Sequence, residues 1–193
     1  MPFTQKYWNS LYDSKKTGWD IGYVSTPIKE YFDQLVDKNK KILIPGAGKA
    51  WEAEYIYNLG FENLFVLDFS EKAIQEFKNR CPWFPENQII HEDFFNHKRT
   101  YDLIVEQTFF SSIIRNTRQL YANQIFNLLA NGGSFIGILF NHEFNFDGPP
   151  FGGAMVEYKQ LFINHFDFEV FETAYNSIYP RKGREVFMLL RKK

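Results

Sequence analysis

The sequence predicts an α/β protein built on a mostly parallel sheet, covered by helices and finished by an antiparallel C-terminal strand. Three observations carry this. Residues 40–140 alternate short apolar runs with segments of helical period. The last third holds two strand-like runs joined by a stretch without helical pattern. A glycine turn separates the first apolar run from the first helical segment.

Taken in order, Ile42-Leu43-Ile44 is a compact branched run closed by Pro45-Gly46, as expected of a strand buried on both faces. Trp51, Tyr55, Ile56 and Leu59 then fall at helical spacing, and Gly60 stops the helix. Leu64 to Leu67 form a second strand ending at Asp68, and Ser70 is placed to cap a helix carrying Ala73, Ile74 and Phe77. That helix cannot pass Pro82. Gln88 to His91 read as a third strand and Leu103-Ile104-Val105 as a fourth. A helix from about Thr117 to Leu129 is expected to end at Gly132-Gly133, before a fifth strand over Phe135 to Phe140. Val156 to Asn164 read as a helix, and Phe168–Phe171 and Glu185–Leu190 as the two closing strands. The segment between them, Glu172 to Arg184, has no helical pattern, so these strands pair antiparallel.

Before residue 40 lies an extension rich in aromatics: Phe3, Tyr7, Trp8, Tyr12, Trp19 and Tyr23. Trp8 and Tyr12 share a helical face, while Gly18, Gly22 and Pro27 are expected to break regular structure. These rings either pack on the sheet or close over a ligand at its edge.

The bulk numbers exclude several classes of function. A chain of 193 residues suits one domain, here residues 1–39 as the extension and 40–193 as the core. A net charge of −1 gives no long-range attraction to nucleic acid or to an anionic membrane. The apolar runs are strand-sized, and the N-terminal residues lack the pattern of a signal peptide, so a cytoplasmic monomer is expected. One cysteine, Cys81, excludes an internal disulfide, and the four histidines show no ligand spacing, so no metal is expected.

The local motif with most chemistry is Pro45-Gly46-Ala47-Gly48-Lys49-Ala50. Gly46 and Gly48 let the backbone turn sharply and approach a ligand. Asp68 follows 22 residues after Gly46, where a carboxylate can take both ribose hydroxyls of an adenosine cofactor or, alternatively, cap the next helix. Asp93, flanked by Phe94 and Phe95, suits an adenine, with the acid on the exocyclic amine and a ring over the base. Glu106 and Gln107 close the fourth strand at the same edge. A phosphate-binding P-loop fails, because Leu43 stands where its first Gly is required and Ala50 where Ser or Thr would hold magnesium. A nicotinamide dinucleotide is the better rival; the Asp93-Phe94 pair and the strand-loop-strand finish argue against it.

Trp19-Asp20-Ile21-Gly22 with Ser25-Thr26-Pro27, Pro45-Gly46-Ala47-Gly48-Lys49 and Asp68-Phe69-Ser70 resemble the thiopurine S-methyltransferase-like enzymes. Tyr101-Asp102-Leu103-Ile104, Gln107-Thr108-Phe109-Phe110, Gly148-Pro149-Pro150-Phe151 and Arg181-Lys182-Gly183-Arg184-Glu185 extend the likeness over nearly the whole chain. It is strongest to the plant thiol, thiocyanate and halide methyltransferase branch. The resemblance implies the class I methyltransferase (Rossmann-like) fold, with a seven-stranded sheet, helices on both faces and an N-terminal aromatic cap. It also implies S-adenosylmethionine as cofactor. Trp8, Tyr12 and Trp19 would then form the cap, Gly46 approach the methionine moiety and Asp68 take the ribose, with Gly48 and Phe69 also at the cofactor. Asp93 and Phe94 would hold the adenine, and Gln107 would lie near the transferred methyl. The chain departs from that branch at Tyr12, where a second tryptophan is common, at Ala47 for Cys and at Gln107 for Tyr.

The expected reaction is in-line methyl transfer to a small soft nucleophile, foremost a thiol, with no dedicated base. The alternatives are a halide, thiocyanate, metalloid, N- or O-acceptor, or an adenosyl-binding module without turnover. Phe109, Phe110, Phe144, Phe151 and Tyr179 are candidate walls for the acceptor or else core residues, and Arg181 is a candidate for attracting an anionic one.

Overall fold

The computed structural model describes residues 3–193. Seven strands form one sheet: β1 (Ile42–Pro45), β2 (Leu64–Asp68), β3 (Ile89–His91), β4 (Tyr101–Gln107), β5 (Leu129–Phe140), β6 (Phe166–Thr173) and β7 (Glu185–Lys192). Their order is β3-β2-β1-β4-β5-β7-β6. The neighbours from β3 through β5 pair in parallel, and β7 runs antiparallel to both β5 and β6. This is the predicted sheet with its antiparallel closing strand. The order reverses between β1 and β4, a switch point where the strand ends and their following loops open a crevice.

Six α-helices complete the fold among the described residues: α1 (Gln5–Asp13), α2 (Thr26–Gln34), α3 (Trp51–Asn58), α4 (Glu71–Arg80), α5 (Arg118–Leu128) and α6 (Met155–Phe162). Alternation along the strands sorts side chains into two cores. Leu43, Ile104, Phe135 and Leu139 meet Tyr121, Ile125, Tyr158 and Phe162 of α5 and α6 on one face. On the other face, Ile42, Ile44, Val66, Val105 and Ile136 meet Ile28, Phe32, Ile56 and Phe77 of α2, α3 and α4. Much of the phenylalanine content is spent here: Phe32, Phe61, Phe77, Phe135, Phe162 and Phe166 are fully buried.

Two expectations are corrected. Pro27 does not break structure but sits in the first turn of α2, where its missing N–H has no helical partner to lose. Gly132-Gly133 do not end a helix. α5 stops at Leu128, and β5 begins directly at Leu129. The ladder then jumps from Tyr101↔Leu129 to Leu103↔Ser134, so residues 130–133 bulge out of register, with Gly132 at φ +69°. Among the described residues no helix is long and apolar enough to cross a membrane.

Candidate active site

The switch-point crevice opens into a cavity of about 390 Å³, within the range of small-molecule sites. One wall is the turn between β1 and α3. Gly46 and Gly48 both hold φ +57°, and a Cβ on Gly46 would lie 2.3 Å from the Phe109 ring. Only glycine takes that backbone and that contact without strain. Ala50, also left-handed at φ 53°, is buried where α3 begins.

Asp68 ends β2 beside this turn. One carboxylate oxygen accepts from the Gly48 amide at 2.8 Å and the other from the Ser70 amide at 2.8 Å. Burial pushes its pKa upward, and these amide bonds pull against that push. Each oxygen keeps a further lone pair for a ligand hydroxyl. The cap of α4 is Ser70, whose Oγ accepts from the Ala73 amide, so Asp68 is not the capping side chain.

Asp93 starts a short 3₁₀ turn over Phe94–Asn96 and accepts from the Phe95 amide at 3.0 Å. It lines the cavity with Phe69, Phe94 and Phe95. Phe94 is only 3% exposed, with its ring 5.3 Å from that of Phe109.

α1 closes the cavity from above. Thr4 caps this helix, and Trp8 and Tyr12 face inward, with ring centroids 5.5 Å and 5.8 Å from Trp19. Gln5 Nε2 donates to the Phe69 carbonyl at 2.8 Å, and Ser70 Oγ donates to Asn9 Oδ1 at 2.7 Å, which fastens the cap to the β2–α4 turn. Behind Trp19, Asp20 accepts from Trp51 Nε1 at 2.7 Å and the Gly22 amide at 2.9 Å, and pairs with Lys49 Nζ at 2.9 Å. Burial opposes ionisation of Asp20, but the bonds from Lys49, Gly22 and Trp51 outweigh it and hold the carboxyl below its ordinary value.

The far end of the cavity is formed by the segment after β4, with Thr108, Phe109, Ser111, Ile113 and Thr117, and by Pro149-Pro150. Glu106 organises it from behind. Fully buried, it accepts from the Phe110 amide at 2.8 Å and from the Tyr121 hydroxyl. Burial pushes this carboxyl up to about 7, against those hydrogen bonds. Arg118 donates to the carbonyls of Phe151 and Gly152, at 2.9 and 3.0 Å, and so holds the segment that carries Pro149-Pro150.

Most of the residues expected at a cofactor come together here: Trp8, Tyr12, Trp19, Gly46, Gly48, Asp68, Phe69, Asp93 and Phe94 line one cavity. Gln107, expected near the transferred methyl, does not join them in the lining. It ends β4, and the left-handed backbone at Thr108 (φ 65°) turns the chain and brings Thr108 and Phe109 to the cavity instead. Its Oε1 is buried without a hydrogen-bond partner.

The expected acceptor walls fare worse. Phe110 is core, edge-on to Tyr121 and Tyr158 at 5.3 Å. Phe144 packs on Phe140 and His142, and Tyr179 is 93% exposed. Phe151 reaches the Phe3 ring at 5.9 Å but leaves the lining to Pro149-Pro150. Arg181 donates to the Trp19 carbonyl at 2.9 Å and pairs with Glu185, so it serves the cap from behind and does not line the cavity. Sequence reading missed Ser111, Ile113 and Thr117, whose types carry no chemical signal. The Pro149-Pro150 pair was visible as a motif but without a role.

The cavity suits a cationic adenosyl cofactor. Its charged lining residues are two carboxylates, Asp68 and Asp93. A dinucleotide would set a doubly charged pyrophosphate against them, and the nearby cation, Lys49, is engaged by Asp20 and Glu76.

Comparison with known proteins agrees. A family model described as Thiopurine S-methyltransferase (TPMT) matches residues 3–190. A protein named probable thiol methyltransferase 2, from Arabidopsis thaliana, is 26% identical over 185 residues, covering 92% of this chain and 81% of that one. A thiopurine S-methyltransferase of Acinetobacter baylyi is 19% identical, covering 92% of each. Among solved structures, the Burkholderia thailandensis 1,6-didemethyltoxoflavin-N1-methyltransferase, bound to its substrate and S-adenosylhomocysteine, shares the fold. Its TM-score is 0.78 at 16% identity, over 98% of this chain and 87% of that one.

Proposed function

The chain belongs to the thiopurine S-methyltransferase family, and from that membership we propose that it transfers a methyl group from S-adenosylmethionine to a small soft nucleophile, foremost a thiol. The observation that carries the proposal is the join between the glycine turn and Asp68, whose 2.8 Å hydrogen bond to Gly48 fixes a carboxylate at the edge of an aromatic-capped cavity.

Bound S-adenosylmethionine supplies an electrophilic methyl on a cationic sulfur with a good leaving group. The protein's own part is to bind, orient and exclude water. Asp68 takes the ribose hydroxyls with the lone pairs that Gly48 and Ser70 leave free. Asp93 takes the adenine amine, with Phe69 and Phe94 beside the base. The faces of Trp8, Tyr12 and Trp19 attract the cation, about 0.5–2 kcal/mol for each ring that meets it. Thr108, Phe109, Ser111 and Pro149-Pro150 bound the acceptor and hold it in line. The hydroxyls of Thr108 and Ser111 both donate at 2.6 Å to main-chain carbonyls, so they shape the site without serving as a base. A thiol with a pKa of about 8.5 ionises readily enough near neutrality to need no dedicated one. We place the work in a cytoplasmic monomer of one domain, with residues 1–39 covering the cofactor and 40–193 forming the core.

Thermal shift with S-adenosylhomocysteine and NAD tests the cofactor, and product assays with thiols, thiocyanate, iodide and amines test the acceptor. Stabilisation by S-adenosylhomocysteine and turnover of thiols are expected. Stabilisation by NAD alone overturns the cofactor, and turnover confined to amines overturns S-methylation.

A further inference from the structure

Lys49 follows the Gly46-x-Gly48 turn, where a phosphate-binding loop would use such a residue on its ligand. Here the ammonium turns to the aromatic cap instead. Its Nζ lies 2.9 Å from Asp20 Oδ2 and 3.3 Å from Glu76. Asp20 is the neighbour in sequence of Trp19, whose ring meets Trp8 and Tyr12 over the cavity. The other Asp20 oxygen is held by Trp51 Nε1 and the Gly22 amide, so the carboxylate is oriented by partners other than Lys49. Trp51 opens α3 and Lys49 ends the glycine turn, so both partners belong to the wall opposite the cap. With side-chain exposures of 11% for Asp20 and 28% for Lys49, the pair is shielded enough to resist screening.

We propose that the Asp20–Lys49 pair is the latch that holds Trp19 down over the cofactor, making both positioning residues that set how fast the adenosyl ligand leaves. A cofactor enclosed under three rings has to be released after each turnover, and the cap belongs, with the post-β4 segment, to the part of the enclosure built from neither strands nor sheet-packed helices. The latch joins it to the turn that lies against the same ligand. Neither residue lines the cavity, so the pair acts through Trp19 and the glycine turn.

The inference rests on the cofactor reading, and the test separates the two. Stopped-flow release of S-adenosylhomocysteine is measured for wild type, Asp20→Asn, Lys49→Met, Lys49→Arg and Glu76→Gln. Asp20→Asn keeps an oxygen for Trp51 and Gly22 but loses the charge, and Lys49→Met keeps the packed stem. Release is expected about ten-fold faster in both, with the cofactor KM raised and kcat not lowered. Lys49→Arg restores wild-type release, and Glu76→Gln leaves it unchanged. Wild-type release in both Asp20→Asn and Lys49→Met overturns the latch, as does equal acceleration in Glu76→Gln. No binding of S-adenosylhomocysteine by wild type overturns the cofactor reading itself.

Discussion

Asp68 shows how one side chain does two jobs: it pins the Gly48 amide and still presents lone pairs to the cavity. Asp68→Ala removes both, so calorimetry should find no S-adenosylhomocysteine binding; wild-type affinity would show that the ribose lies elsewhere. Gly46→Ala attacks the same wall from the backbone side. Its φ of +57° and a Cβ 2.3 Å from the Phe109 ring make the substitution strained, and a loss of about 1–3 kcal/mol in denaturant unfolding is expected. Glu106 gives a pH signature. Its carboxyl ionises near 4.5 when unfolded and near 7 when folded, so the folded chain binds that proton more tightly. Its contribution to stability is therefore fullest below pH 4.5 and is lost as pH rises through 7. Glu106→Gln, whose oxygen can still accept from the Phe110 amide while its NH2 faces the Tyr121 hydroxyl, has no carboxyl to titrate and should lose less stability than wild type over that interval. Equal pH profiles for the two would contradict the assignment.

At the scale of elements, α1 and α4 are tied through Ser70, which caps α4 and donates to Asn9. Ser70→Ala should cost about 1 kcal/mol, a fall of about 2–4 °C in Tm. An unchanged Tm would mean that the cap bond is not formed. Trp19→Ala should weaken S-adenosylhomocysteine binding and slow methyl transfer by removing a ring of the cap, whereas Tyr179→Ala, on a side chain 93% exposed, should alter neither. Elements with a strong pattern were legible in the sequence: β1 and β2 as branched runs, α4 from its Ser70 cap, and β6 and β7 from the missing helix between them. α2 was not, because Pro27 is a breaker inside a helix and a starter in its first turn, and the letter alone does not say which. The start of β5 was obscured by Gly132, whose positive φ serves a bulge here and would equally serve a helix end.

For the molecule as a whole, the sheet order brings the ends of β1, β2 and β4 to one edge, and the cap and the post-β4 segment enclose the space between them. The end of this space built by Gly46, Gly48, Asp68 and Asp93 was readable in advance, since glycine turns and strand-end carboxylates are placed by short-range rules. The end built by the post-β4 segment was not. Phe109 and Phe110 are adjacent letters, yet Phe109 lines the cavity and Phe110, opening a short 3₁₀ turn, is buried in the core, a split that only the local backbone decides. Methyl transfer to sulfur is read out by incubation with S-adenosylmethionine and a small thiol, followed by mass spectrometry of the acceptor. An S-methylated product in equal amount to S-adenosylhomocysteine is expected. Binding of S-adenosylmethionine with no methylated thiol would contradict it.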